Sequence, residues 1–288
     1  MGLRFFLTTL AALSIALPAA AQDQSDVSRP QTFRELLDAA VHQVEVFADA
    51  QTKTPAKPIV ALRWANNARG SEDGLTLLYV SDGRPLAAAC LYPWDKRLIH
   101  DLEALGRGKI VARKDTNVIW QPQKSGVEFA PIPGADEPAL SPAARLRQMK
   151  ALADEFQSSM LGWKADSTDR EQLRLLTRPL YRYESEGGAA DAHGVFDGAV
   201  FAFVMGTDPE SLLLIEAVKR DGKSAWEFGF ARRTSGELEG RHKDSVVWHA
   251  DRFPPTGNPQ LPHFGVGTPI PLELLPGAAE RIERQISR

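Results

Sequence analysis

The spacing of turn-forming residues restricts this chain more than any other feature. In two stretches, Gly, Asp, Asn and Pro clusters cut it into short apolar runs. The gaps are too short for parallel crossovers, which need about a dozen residues or more. The first stretch carries strand-like runs at Pro58 to Asn66, Leu75 to Val80, Leu86 to Tyr92, Lys109 to Arg113 and Val118 to Gln121. They are separated by Gly70 to Gly74, Ser81-Asp82-Gly83, Gly106 to Gly108 and Asp115 to Asn117. The second carries Leu173 to Tyr183, Val200 to Met205, Leu212 to Val218, Ala225 to Arg232, Glu237 to Arg241 and Val246 to His249, with turns at Gly206 to Pro209, Asp221-Gly222 and Lys243-Asp244. The pattern predicts antiparallel meanders.

Each stretch follows an amphipathic segment. Thr32 with Glu35 has capping-box spacing, and Phe33, Leu36, Leu37, Ala40, Val41, Val44, Phe47 and Ala48 recur at helical intervals. Ser141 and Pro142 open a second helix with a stripe of Leu146, Met149, Ala153, Phe156 and Met160, Arg145 facing away, and Gly162 as its stop. The expected fold class is therefore α+β: two related units, at 28–134 and 139–253, each an amphipathic helix followed by an antiparallel β-meander. Matching residues recur at constant offsets, as an internal duplication would leave them. Gly74 and Gly198, Val80 and Val204, and Pro85 and Pro209 lie 124 apart; Gly108 and Gly236, Arg113 and Arg241, and Trp120 and Trp248 lie 128 apart. The same correspondence assigns Lys96 to Leu105 as a strand. Prolines at 254, 255, 259, 262, 269, 271 and 276 make 254–288 an extended C-terminal tail without regular elements, closed by a short polar helix at Ala278 to Ser287.

The N-terminus predicts export. Arg4 precedes an apolar run from Phe5 to Leu17, and Pro18 and Ala19-Ala20-Ala21 follow, which places signal-peptide cleavage after Ala21. The run is too short to span a bilayer comfortably, and no later segment of the mature chain has that length, so a soluble periplasmic or secreted product is expected. The single cysteine, Cys90, excludes an intramolecular disulfide framework and a multi-cysteine zinc site, and its apolar surroundings read as core.

Lys+Arg 34 against Asp+Glu 37 lacks the excess of cations that a general nucleic-acid binder needs. No Gly-x-Ser-x-Gly elbow, phosphate loop or dinucleotide fingerprint is present, and the six histidines form no zinc-ligand spacing, so neither cofactor nor metal is expected. Glu216 stands out because Leu212 to Val218 is apolar on both strand faces, and a buried carboxylate must be paired. Pairing with an arginine such as Arg182 or Arg232 is the favoured reading. A hydrolase using Glu216 with Asp208 or Glu184 is the alternative. Arg174, Arg178 and Arg182 would share one strand face if Leu173 to Tyr183 is a single strand. That row reads either as protection of a sheet edge or as a contact surface for an anionic polymer or protein.

Asp82-Gly-Arg-Pro85, Arg145-Leu-Arg-Gln-Met149, Leu173-Arg-Leu-Leu176 with Tyr181-Arg-Tyr183, and Asp197-Gly-Ala to Gly206-Thr-Asp-Pro209 together resemble a family of uncharacterised exported bacterial proteins. The resemblance implies export and no activity. The expected function is a non-catalytic ligand- or partner-binding protein of the cell envelope.

Overall fold

The computed structural model describes residues 32–66, 71–162, 167–184, 191–252 and 257–270. The segments expected to be a signal peptide (1–21) and a C-terminal helix (278–287) lie outside the described residues. The order begins α1 (Phe33–Ala40), β1 (Glu45–Phe47), β2 (Lys57–Asn66), β3 (Ser71–Ser81), β4 (Arg84–Trp94), β5 (Arg97–Ala104), β6 (Val111–Lys114), β7 (Asn117–Trp120) and β8 (Ala130–Pro131). It continues α2 (Pro142–Ala153), β9 (Phe156–Leu161), β10 (Arg170–Leu175), β11 (Tyr181–Glu184), β12 (Val195–Met205) and β13 (Asp208–Arg220). The last elements are β14 (Lys223–Arg232), β15 (Leu238–His242), β16 (Ser245–Ala250) and β17 (His263–Pro269).

The strands form a three-stranded sheet, β1-β6-β7, a five-stranded sheet, β17-β5-β4-β3-β2, and a nine-stranded sheet, β16-β15-β9-β10-β12-β13-β14-β8 with β11 also on β12. The paired strands are antiparallel, as the turn spacing predicts. Three hairpins turn on two residues that both have positive φ: Asp82-Gly83 (49 and 80), Asp95-Lys96 (42 and 59) and Asp221-Gly222 (49 and 80). Positive φ at both central positions matches the right-handed twist of the flanking strands.

The α+β expectation is overturned. Strands make up 54% and helices 9% of the described residues, which are mostly β. Both helices are shorter than their stripes because residues four apart share a face in a strand as well as in a helix. Val44 and Phe47 fall after α1, and Val46 and Phe47 pair with Ala112 and Val111 as β1. Phe156 and Met160 lie in β9, between β10 and β15, with Asp154 as the C-cap of α2. The C-terminal tail is not without regular structure either. β17 docks along β5 through seven register pairs, from His263↔Glu103 to Pro269↔Arg97. As the outermost strand, with its proline at its end, it tolerates the missing donor.

The five-stranded sheet and the β12–β14 part of the large sheet are covered on both faces. Phe33, Leu36 and Leu37 of α1, with Val46 and Ala112, pack on Leu75, Leu77, Tyr79 and Leu91. Met149 and Leu152 of α2 pack with Phe201, Phe203, Leu213, Ile215 and Phe230. Between the two sheets, Leu78, Val80, Ala88 and Leu105 meet Val200, Ala202, Val204, Leu212 and Leu214. This double burial explains strands that are apolar at consecutive positions. Trp64 of β2 lies over Gly74, and Tyr183 of β11 lies over Gly198; a Cβ on either glycine would stand 2.4 Å from the ring.

His100 of β5 is buried, and burial pushes its pKa down to about 4, Lys114 adding to the shift against a bond to the Ala40 backbone. The unfolded chain takes up this proton near 6.5 and the folded chain does not, so stability is lost as pH falls from 6.5 towards 4. In urea unfolding, the wild type is expected to lose up to about 3 kcal/mol more than His100→Leu between pH 7 and pH 4. Equal losses in the two proteins contradict this.

Candidate functional site

Glu216 sits in the middle of β13, on the face turned to the five-stranded sheet, with no exposed surface. Its Oε1 accepts hydrogen bonds from Arg84 Nε (3.1 Å), Arg84 Nη2 (2.5 Å) and the Tyr183 hydroxyl (2.7 Å). Its Oε2 accepts from Arg107 Nη2 at 2.7 Å. Arg107 also reaches Glu227 at 2.6 Å, and Glu227 stands directly opposite Glu216 on β14. One guanidinium therefore separates two carboxylates that would otherwise repel across the ladder. Its carbon lies 3.7 Å from the centre of the Phe129 ring, and Arg220 holds the far side of Glu227 at 3.2 Å. Burial opposes the Arg84 charge, but Glu216 together with Tyr183 and Asp191 outweighs it and the arginine pKa is raised. Burial and then Glu216 push the Tyr183 hydroxyl well above its ordinary value.

Glu216 is thus paired with arginine, though not with Arg182 or Arg232. Arg182 donates to Asp197 at 3.1 and 2.7 Å, and Arg232 caps the carbonyls of Thr234, Gly236 and Asp251. The local alternation of β11 explains Arg182: Tyr183 faces Glu216, so Arg182 and Glu184 point to the other face, beneath α2. There Arg145, read as solvent-facing, is buried, with Nε 2.6 Å from Asp197 and Nη2 3.0 Å from Glu184. A buried cation on the apolar side of α2 is tolerated because Asp197 and Glu184 neutralise it.

The row of Arg174, Arg178 and Arg182 does not lie on one strand. The chain leaves the sheet between β10 and β11 around Pro179, which breaks the alternation. Arg174 is exposed and donates to the Gly206 carbonyl at 2.9 Å, Arg178 is exposed in the break, and Arg182 is tied to Asp197. Asp208 and Glu184 do not join Glu216. Asp208 lies eight residues along the same strand, roughly 26 Å away, and accepts from Asn66 Nδ2 at 3.0 Å. Glu184 belongs to the α2 cluster.

Arg84, Arg107, Glu227 and Tyr183 were not read from sequence as members of this cluster. Glu227 carried the same signal as Glu216, an acid between Trp226 and Phe228 in an apolar strand; Arg107 in its Gly106–Gly108 turn carried none. A hollow beside the cluster, bordered by Asp82, Arg84, Tyr183, Glu184, Asp191 and Asp197, has an interior of about 20 Å³, room for a single water. Among the described residues no group of three or more His, Cys, Asp or Glu side chains is placed to hold a metal ion, and no helix is long and apolar enough to cross a membrane.

The fold and this cluster define a mostly-β protein of two facing antiparallel sheets with a buried ion network between them. Comparison with family models, curated proteins and solved structures finds no match for the chain.

Removing Arg84 leaves Glu216 buried with one arginine fewer. Arg84→Met is expected to lower stability in urea unfolding by about 3–5 kcal/mol, the usual cost of breaking a buried pair from one side. A loss below about 1 kcal/mol contradicts the clamp.

Proposed function

We propose that the protein is a non-catalytic ligand- or partner-binding protein of the cell envelope, exported through its N-terminal segment. The observation that carries the non-catalytic reading is the state of Glu216. Both carboxylate oxygens are occupied by Arg84, Arg107 and Tyr183, and the side chain has no exposed surface. A general acid or nucleophile must reach a substrate. The second acid nearest to it, Glu227, is held by Arg107 and Arg220. Arg4, the Phe5 to Leu17 run and Ala19 to Ala21 support export.

The two halves are read as copies of one ancestral unit. In support, β1 pairs with β6 and β6 with β7, as β9 pairs with β15 and β15 with β16. The hairpin β3–β4–β5 has its counterpart in β12–β13–β14. With Arg182 engaged by Asp197, a contact with an anionic polymer or protein surface would fall to the exposed Arg174 and Arg178.

A screen of the purified protein against esters, glycosides and peptides tests the reading. No turnover above the uncatalysed rate is expected, for the wild type or for Glu216→Gln. Turnover by the wild type that Glu216→Gln abolishes would establish the hydrolase instead.

A further inference from the structure

The strand β17 is fastened to the first sheet by a buried acid–base pair that takes no part in the Glu216 cluster. His263, its first residue, stands directly across from Glu103 of β5, with Nδ1 2.9 Å from Oε2. Glu103 is 2% exposed and His263 9%. The cations facing the pair are Arg232, at the end of β14, and Arg233 just beyond it. Asp101, the next residue on that face of β5, stands opposite Gly265 of β17 with its carboxylate against that glycine, and burial raises its pKa. Its carboxylate accepts from the Tyr92 hydroxyl at 2.7 Å, and its carbonyl accepts from Arg233 Nη2 at 3.1 Å.

We propose that β17 is a pH-sensitive strap whose Glu103–His263 pair keeps one shared proton while docked, so that it holds most tightly in mildly acidic solution and loosens on either side.

Burial disfavours the Glu103 carboxylate and raises its pKa well above 4.5, outweighing the pull of Arg233 and Arg232. Burial, with the same two arginines, keeps His263 well below 6.5. The docked pair is therefore a neutral carboxylic acid donating to a neutral imidazole. When the strap lifts, both groups return to their ordinary values. Between 4.5 and 6.5 the open pair carries one proton on the imidazole, the same number as the docked pair, and the pair's contribution to opening is independent of pH. Above 6.5 the open pair carries none, so each further pH unit favours opening by about tenfold until the docked acid itself ionises. Below 4.5 it carries two, and each unit downward again favours opening by about tenfold. His100, opposite Val266 on the other face of β5 with Lys114 nearby, adds a loss on the acid side only. Asp101, with its pKa raised while docked, also favours opening as pH climbs from its ordinary 3.8, so the pair's share of the rise is the part that Glu103→Gln removes.

Beyond the β5 ladder the strap is anchored at both ends: the Trp120 indole donates to the Leu261 carbonyl, Ala104 N–H to that of Pro262, Gln121 N–H to that of Pro259, Gln123 N–H to that of Gln260, Ile270 N–H to that of Lys96, and Lys114 to the Thr268 hydroxyl. Lifting it withdraws Phe264 and Ile270 from the core under α1 and bares the β5 edge, which can then accept another strand.

Hydrogen exchange of the full chain, corrected for intrinsic rates, tests this in peptides covering 97–104 and 263–269. Opening is expected to rise more steeply above pH 6.5 than between pH 5 and pH 6.5, by up to about tenfold per unit. Glu103→Gln, which can still donate to Nδ1 but cannot ionise, should abolish the rise. A flat wild-type profile, or a rise undiminished in Glu103→Gln, overturns the proposal. Should that variant not fold, nitrogen resonances of the wild-type His263 ring decide. An unprotonated Nδ1 unchanged from pH 5 to pH 6.5 is expected, and a ring titrating near 6.5 overturns the strap.

Discussion

Two sheets that face each other across an apolar layer could slide, because dispersion and hydrophobic contact are non-directional. The carboxylate of Glu216 removes that freedom. It is on the second sheet, while Arg84 begins β4 and Arg107 follows β5 on the first, so the charge-assisted bonds cross the layer and fix one register. Tyr183 closes the same carboxylate from β11, and its ring reaches that position because Gly198 beneath it has no side chain. The apolar middle, from Leu78 and Ala88 to Val200 and Leu212, then packs in the alignment the ions dictate.

The same arrangement governs the periphery. Buried charge lies at the two ends of the inter-sheet layer and beneath α2, and in each case an arginine meets two acids or more. Arg107 joins Glu216 and Glu227, Arg145 joins Asp197 and Glu184, and Arg233 lies among Asp101 and Glu103. A planar guanidinium with five donors suits such multiple contacts where a lysine would not. The consequence for function is restrictive. The acid that looked most reactive is the most thoroughly engaged, with both of its oxygens closed to solvent.

Most strands of the two meanders were legible in the sequence, and their antiparallel order followed from gaps too short for crossovers, whereas β1, β8, β9 and β17 were not read as strands. The helices were overextended because Phe156 and Met160, or Val44 and Ala48, satisfy a spacing of four in either geometry, and pairing with β15 or β6 chose the strand. The α+β class failed for that reason. Glu216 was visible as an acid inside an apolar run, but its partners were not, since Arg84 and Arg107 are 132 and 109 residues away and sit at or beside turns where cations are ordinary. Pro179 announced a break that divides the arginine row. The strand β17 hid in a proline-rich segment because its prolines lie at the strand's ends and before it.

A double-mutant cycle between Arg84 and Glu216, read by equilibrium urea unfolding of Arg84→Met, Glu216→Met and the pair, tests the clamp most directly. The account predicts a coupling of about 1–3 kcal/mol, with the double variant more stable than the worse single one, because removing both partners leaves no unpaired charge in the layer. Losses that add to within about 0.5 kcal/mol would mean that the two side chains do not hold the sheets together.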